Sequence, residues 1–152
     1  MIKLPKKKYT PKQDVQLGKE AASEVRKQYP IDMSEFSPAP VKATIPLDIF
    51  KAIDVRLGTI RAVEELPKSG KLLKLTFSFG DHTRQILAGI KTERPDPLQL
   101  IGRQALFVVN LEHRVMAGET SEGMLFDIGY EDGLTPSLAI PEHALPDGAR
   151  AG

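Results

Sequence analysis

The side chains of this sequence best suited to chemistry are suited to holding anions, not to making or breaking bonds. Arg56, Lys74, Arg84, Lys91 and Arg114 are long cations of the kind that reach phosphate oxygens. Asn110, Ser121 and Glu122 gather short hydrogen-bonding groups around the last of these cations. All three lie in the stretch from Asn110 to Phe126, which also holds Met116 and Met124, two soft and adaptable apolar side chains. Bond-making chemistry has little to draw on. The chain contains no cysteine, which excludes thiolate nucleophiles and disulfides. His82, His113 and His143 are dispersed and none is followed by Glu, so the His-Glu-x-x-His pair that grips zinc on one helix face is missing. They read as ordinary surface or loop residues. No catalytic residue, metal site or cofactor is expected.

The Asn110–Phe126 stretch joins two apolar runs, Ala105 to Val109 and Met124 to Ile128. A plain hairpin needs only about two to five connecting residues. This connection is longer and chemically mixed, and such loops carry function more often than strands do. Each of its residues also has a plainer structural role open to it. Met124 is of a type usually found in the core. Asn110 is of a type that often satisfies a turn backbone. Arg56 has Asp54 two residues away as a natural ion-pair partner.

What must position these side chains is a β-rich body beginning at about Leu47. Ile53, Val55 and Leu57 alternate, Gly58 interrupts, and Ile60 and Ala62 continue on the other phase. A glycine at a phase switch predicts a β-bulge there. Pro67-Lys68-Ser69-Gly70 is a turn. Leu73, Leu75, Phe77 and Phe79 then point one way, and Lys74 is predicted to point outward. Gly80-Asp81 turns into Thr83–Ala88, and Pro95-Asp96-Pro97-Leu98-Gln99-Leu100-Ile101-Gly102 predicts a short helical segment ended by glycine. Arg103–Asn110 and Gly123–Gly129 complete the set. Five short strands, the first one bulged, with a small helix between the third and fourth, predict an all-β OB-fold barrel. The proline-rich tail, Leu134 to Ala149, adds only short strands or extended segments.

Upstream of the body the pattern changes. Thr10-Pro11-Lys12-Gln13 has the makings of a capped helix start, and Val15, Gly18, Ala22, Val25 and Tyr29 recur on one narrow stripe. A helix is expected from there to about Gln28, ended by Pro30. The chain thus divides into a basic arm and helix (residues 1–30), a proline-containing linker (31–46) and the barrel with its extension (47–149).

Charge follows the same division. Residues 1–43 hold nine Lys/Arg against five Asp/Glu, whereas residues 44–152 hold twelve against fifteen. Nucleic-acid binders carry a basic excess because neutralised phosphates supply most of the affinity. The barrel has none, so any anion-binding face must be a local patch, aided by the lysines of the arm. No apolar run approaches the roughly 20 residues of a membrane span. The basic N-terminus lacks the apolar core of a signal peptide, so the cytoplasm is the expected compartment.

Several stretches carry resemblances. Asp54-Val55-Arg56-Leu57-Gly58-Thr59-Ile60, Lys71-Leu72-Leu73-Lys74-Leu75, Gly89-Ile90, Leu100-Ile101-Gly102-Arg103, Asn110-Leu111 and Ser121-Glu122-Gly123-Met124 together resemble the tRNA-binding domain family. This family includes the C-terminal domain of bacterial methionyl-tRNA synthetase, free-standing dimeric tRNA-binding proteins and CsaA-type chaperones. The resemblance implies a non-catalytic homodimer of OB-folds that grips tRNA by its shape, with assistance to an aminoacyl-tRNA synthetase as a role open to it. It implies that Arg56, Lys74, Arg84, Lys91, Asn110, Arg114, Met116, Ser121, Glu122 and Met124 form the RNA-binding constellation, with the methionines packed on a base or sugar. It implies an interface built after the barrel, where Leu134, Leu138, Ile140 and Leu145 are the apolar candidates. The CsaA branch implies the alternative, an apolar groove at the same rim that holds unfolded peptides. Family members commonly carry Pro and Lys around the arginine where this chain has His113 and Val115, and Glu112 and Glu119 stand nearby. Weaker tRNA binding than a typical member is the expectation. Separately, Lys8 to Ala22 resembles the start of the mature region of a zinc metallopeptidase family, but without that family's catalytic motif no peptidase activity is implied.

Overall fold

A computed structural model describes residues 35–152. The basic arm, the capped helix and the Val15–Tyr29 stripe lie outside the described residues. Residues 35–46 are exposed and form neither helix nor strand.

The body is an all-β barrel of the OB type. It starts not with a strand but with a short helix, α1 (Leu47–Lys51), introduced by Pro46. Pro46 has an extended backbone, as a residue at a helix boundary does, and Asp48 sits favourably in the first turn. The apolar side chains of α1, Leu47, Ile49 and Phe50, are exposed rather than inserted in the barrel.

Strand β1 (Val55–Glu65) is the spine. It pairs antiparallel with β2 (Leu73–Ser78) through residues 59–65 and with β4 (Gln104–Val108) through residues 55–59. One strand serving two neighbours over different halves must bend, and a register shift between Ile60 and Ala62 provides the bend. The bulge therefore falls at Arg61, not at Gly58. Gly58 answers a different need: a Cβ there would stand 2.9 Å from Phe79 Cε1 and 3.0 Å from the Ser78 carbonyl. Its bare backbone lets the aromatic core close.

β2 obeys the two-residue alternation strictly, with Leu73, Leu75 and Phe77 fully buried. It pairs along its whole length with β3 (Thr83–Ala88). A 3-10 turn (Pro97–Leu100), capped by the Asp96 side chain accepting from the Leu98 amide, inserts Leu100 into the barrel end. The Gly102 amide and the Arg103 carbonyl then bond to Ile60. This fastens the turn to the spine beside its bulge. The sheet runs β3-β2-β1-β4-β7, with β7 (Met124–Leu125) against the far edge of β4. Stacked Phe77 and Phe107 (centroids 3.9 Å, planes 4° apart) and the edge-on ring of Phe79 fill the centre. Each buried ring contributes about 1.5–3 kcal/mol through burial alone.

The tail does form only short strands. β8 (Asp127–Ile128) pairs with β9 (Ser137–Leu138), and β10 (Arg150–Ala151) pairs with the start of β1. Asp147 latches this tail: its Oδ1 accepts from Thr59 Oγ1 at 2.6 Å and from Gln104 Nε2 at 3.1 Å. Leu138 is buried in the core cluster, so it does not join the exposed Ile140 and Leu145 as a surface contact.

Candidate nucleic-acid interface

The stretch from Asn110 to Phe126 is a folded unit in its own right. β5 (Arg114–Met116) and β6 (Glu119–Ser121) form a hairpin closed by Ala117-Gly118. Both turn residues have positive φ, 49° and 79°, the conformation that a two-residue turn needs to match strand twist. Ala117 is the one non-glycine residue with positive φ among the described residues. Sequence reading saw a long loop because alanine at the first turn position hides the Asn-Gly or Gly-Gly signal.

At the end of β6 and just beyond it, Ser121 and Glu122 close the barrel. Ser121 is 3% exposed; its Oγ accepts from the Leu87 amide at 3.0 Å and donates to the Gly123 carbonyl. The Glu122 amide donates to the Gln85 carbonyl at 2.8 Å, and its carboxylate Oε2 accepts from the Gln85 amide at 2.8 Å. The free edge of β3 is thus satisfied largely by side chains. Expected at the RNA, Ser121 is buried, with its hydroxyl engaged in this seam. Gly123 permits the close approach, since a Cβ would meet the Val108 carbonyl at 2.6 Å.

Four of the five expected cations are held by the barrel. Arg84 Nη1 donates to the Val109 carbonyl at 2.6 Å and the Glu122 carbonyl at 3.0 Å, tying β3 to the end of β4. Lys74 was expected to stand free; its side chain is only 18% exposed and lies between Glu64 (3.3 Å) and Glu119 (3.6 Å). Lys91 pairs with Glu65 at 3.1 Å. Arg56 makes two 2.9 Å bonds to Asp54. The Arg56 guanidinium holds the Asp54 carboxyl below its usual range, and the carboxylate in turn raises the guanidinium. Asn110 is structural as well: its Oδ1 accepts from the Asp54 amide and its Nδ2 donates to the Ala52 carbonyl, both at 2.7 Å.

The hairpin behaves differently. Arg114 is exposed, and among the described residues no carboxylate pairs with it. Glu119, expected to oppose it, faces the barrel wall, where Oε1 meets Lys74 and Oε2 accepts from Gln85 Nε2. Val115 is 73% exposed and Met124 is 48% exposed, so Met124 is not core. Met116 is half-buried. At the hairpin tip, Lys68 of the β1–β2 loop approaches, its Nζ 3.6 Å from where a Gly118 Cβ would be. Lys68 and its neighbour Lys71 are exposed cations that sequence reading passed over. The signal was present: Pro67-Lys68-Ser69-Gly70 is the first inter-strand loop of an OB-fold, and that loop shares the ligand rim with the fourth. Among the described residues no cluster of His, Asp and Glu is arranged to hold a metal ion, and no helix is long and apolar enough to cross a membrane.

Comparison with known proteins fits this geometry. Residues 55–150 match the family model described as a putative tRNA binding domain. A methionine–tRNA ligase of Chlorobium chlorochromatii is 42% identical over 99 residues, covering 65% of this chain but only 13% of that protein. A methionyl-tRNA-synthetase-related protein from Pyrococcus horikoshii is similar in structure, with TM-score 0.67 and 32% identity over 73% of this chain and all of that one. Chaperone CsaA from Bacillus anthracis is similar at TM-score 0.64 and 32% identity, over 72% of this chain and all of that one. A β1-centred barrel with its hairpin-bearing rim, matched over most of its length, places the chain in the tRNA-binding domain family.

Proposed function

We infer that this chain is a non-catalytic tRNA-binding protein that holds RNA at the rim formed by the β5–β6 hairpin and the β1–β2 loop. The observation that carries the reading is the exposed Arg114 on a hairpin whose tip meets Lys68. Duplex RNA is gripped through its backbone and shape, which demands a few well-placed cations rather than base-reading groups. Arg114, Lys68 and Lys71 supply those cations, Met124 and Val115 offer apolar contact to a sugar or base, and the lysines of residues 1–12 add long-range attraction. The protein acts as a homodimer in the cytoplasm, its exposed apolar surface at α1, Ile140 and Leu145 covered by a second copy, and it assists an aminoacyl-tRNA synthetase in trans. A mobility-shift titration with bulk tRNA over a salt series tests the site. Arg114→Glu lowers affinity about tenfold or more and flattens the salt slope by one to two, roughly. Undiminished binding by that variant removes the hairpin from the site, and a monomeric mass by light scattering removes the dimer.

A second reading has its own support. Leu111, Val115, Met124 and Phe126 are exposed apolar side chains along the same rim, and a chaperone is among the similar structures. Extended unfolded peptide would lie there. Competition of bulk tRNA by an unfolded polypeptide, with tRNA bound only weakly, favours this reading over the first.

A further inference from the structure

The first half of β1 has a neighbour on each edge. β4 lies along one, and β10 takes the other, which β2 leaves free before Thr59. The tail is pinned there: the Leu57 amide donates to the Ala149 carbonyl at 2.8 Å and the Gly148 amide to the Leu57 carbonyl at 2.7 Å. This register sets Arg150 directly opposite Arg56. Opposed residues of an antiparallel pair share a face, with Cβ atoms about 4.5–5.5 Å apart. Two arginines so placed repel one another, and like charges directly opposite destabilise a sheet.

The carboxylate at hand, Asp54, does not cancel the pair. Both of its oxygens are engaged by Arg56, through Nε and Nη2 at 2.9 Å. Arg150 is exposed, and among the described residues it has neither a carboxylate at ion-pair distance nor an acceptor for its guanidinium. The remaining N–H groups of Arg56 also lack an acceptor there, and its side chain is 35% exposed, so both guanidiniums are open to solvent. Arg56 first, then Arg150 and Arg84, hold the Asp54 carboxyl below its usual range, so one acid sits in the field of several guanidiniums. Asp81, the other acid that acts on Arg56, is bonded to His82 at 2.6 Å. Cations thus outnumber acids at this end of β1, in a body where acids outnumber bases overall.

Resting on the RNA reading above, we propose that Arg150 and Arg56 together hold a backbone phosphate of the bound RNA, a second contact apart from the β5–β6 rim. A phosphate diester carries its charge on its unesterified oxygens, to which neighbouring guanidiniums donate through their N–H forks. Such an anion relieves the repulsion between the opposed arginines, a gain that a lone surface arginine does not offer. The contact is to the backbone, so it positions RNA without reading its sequence. A carboxylate of a protein partner would also bridge the pair. RNA is the better fit, since one molecule supplies anions to this site and to Arg114 and Lys68 alike.

Mobility-shift titrations of the full-length chain with bulk tRNA over a salt series, beside chemical denaturation and light scattering, test this. Arg150→Ala lowers tRNA affinity about threefold or more, takes about one unit from the salt slope and leaves the denaturation midpoint unchanged. Arg150→Lys keeps the slope but not the full affinity, because it retains the charge and loses the fork. Combined with Arg114→Glu, the losses of affinity multiply, as independent contacts require. Undiminished affinity and slope in Arg150→Ala, with Arg114→Glu still impaired, overturns the second phosphate and leaves the rim reading standing. A parent chain that does not bind tRNA removes both. A slope lowered equally in Arg150→Lys overturns it in favour of a structural role. A mass that falls in Arg150→Ala with tRNA binding intact overturns it in favour of a contact between copies. Polyglutamate bound more tightly than tRNA, and lost in Arg150→Ala, overturns it in favour of an acidic protein partner.

Discussion

On the barrel wall, Lys74 lies between Glu64 and Glu119 and Arg84 bonds to two carbonyls; at the rim, Arg114 and Lys68 project with no paired carboxylate among the described residues. The same side-chain types thus do two jobs. Wall cations are tied by neighbouring strands, because a strand face places cross-strand carboxylates within reach. Rim cations stand on the exposed first strand of a hairpin and on a turn, where among the described residues no carboxylate is placed to pair with them. Net charge conceals this, since a barrel with more acids than bases can still present free cations where its acids are turned inward.

Four substitutions break or sharpen that contrast. Arg84→Ala has the largest effect. It strips two part-buried carbonyls of their donor and costs about 2–3 kcal/mol in chemical denaturation. Its tRNA affinity per folded molecule stays within about twofold of the parent. A tenfold loss instead would make Arg84 an RNA contact and erase the distinction. Lys68→Ala does the reverse. Its stability stays within about 0.5 kcal/mol, while tRNA affinity at low salt falls severalfold, with about one unit lost from the salt slope.

Ala117→Gly tests the support of the rim rather than its charge. Alanine at φ 49° pays a left-handed penalty of about 1–2 kcal/mol, partly offset by glycine's greater freedom in the unfolded chain. The net expectation is a gain of about 0.5 kcal/mol, seen as a small rise in Tm. A fall would show that the turn is not under strain. Asp54→Asn has the smallest effect. Arg56 holds the Asp54 carboxyl below its ordinary value of 3.8, so its contribution is present above that pH and is lost as pH falls through the lowered value. Both partners are about a third exposed, which limits the loss at neutral pH to about 0.5 kcal/mol or less. The difference between parent and variant vanishes in acid. A difference that grows below pH 3.8 would reverse the sign of the argument.

Strand phase, turn residues and the proline-bounded 3-10 segment made the barrel readable, because alternation and turn chemistry are local properties. The bulge was misplaced by three residues because Gly58 advertises two things at once, a bend and a close approach, and only packing against Phe79 separates them. The site was less legible. Ser121 and Glu122 read as ligand chemistry and are engaged in the seam: Ser121 bonds the Leu87 amide and Glu122 bonds the Gln85 amide, partners more than thirty residues away in the chain. Nor does any spacing in the sequence reveal that Glu119 turns to Lys74 and leaves Arg114 alone. Met124 was exposed for a similarly nonlocal reason. Its strand is two residues long, and the neighbour that faces inward is Leu125.

A barrel zipped along one side by a serine and a glutamate has a weak seam. Opening it breaks side-chain acceptors rather than a full backbone ladder, so the amides of Gln85 and Leu87 should exchange with solvent sooner than those buried between β1 and β2. The β5–β6 hairpin hangs from that seam. Its Arg114 therefore rides on the part of the barrel that breathes first, which would let the rim adjust to the curvature of whatever it grips without disturbing the aromatic core.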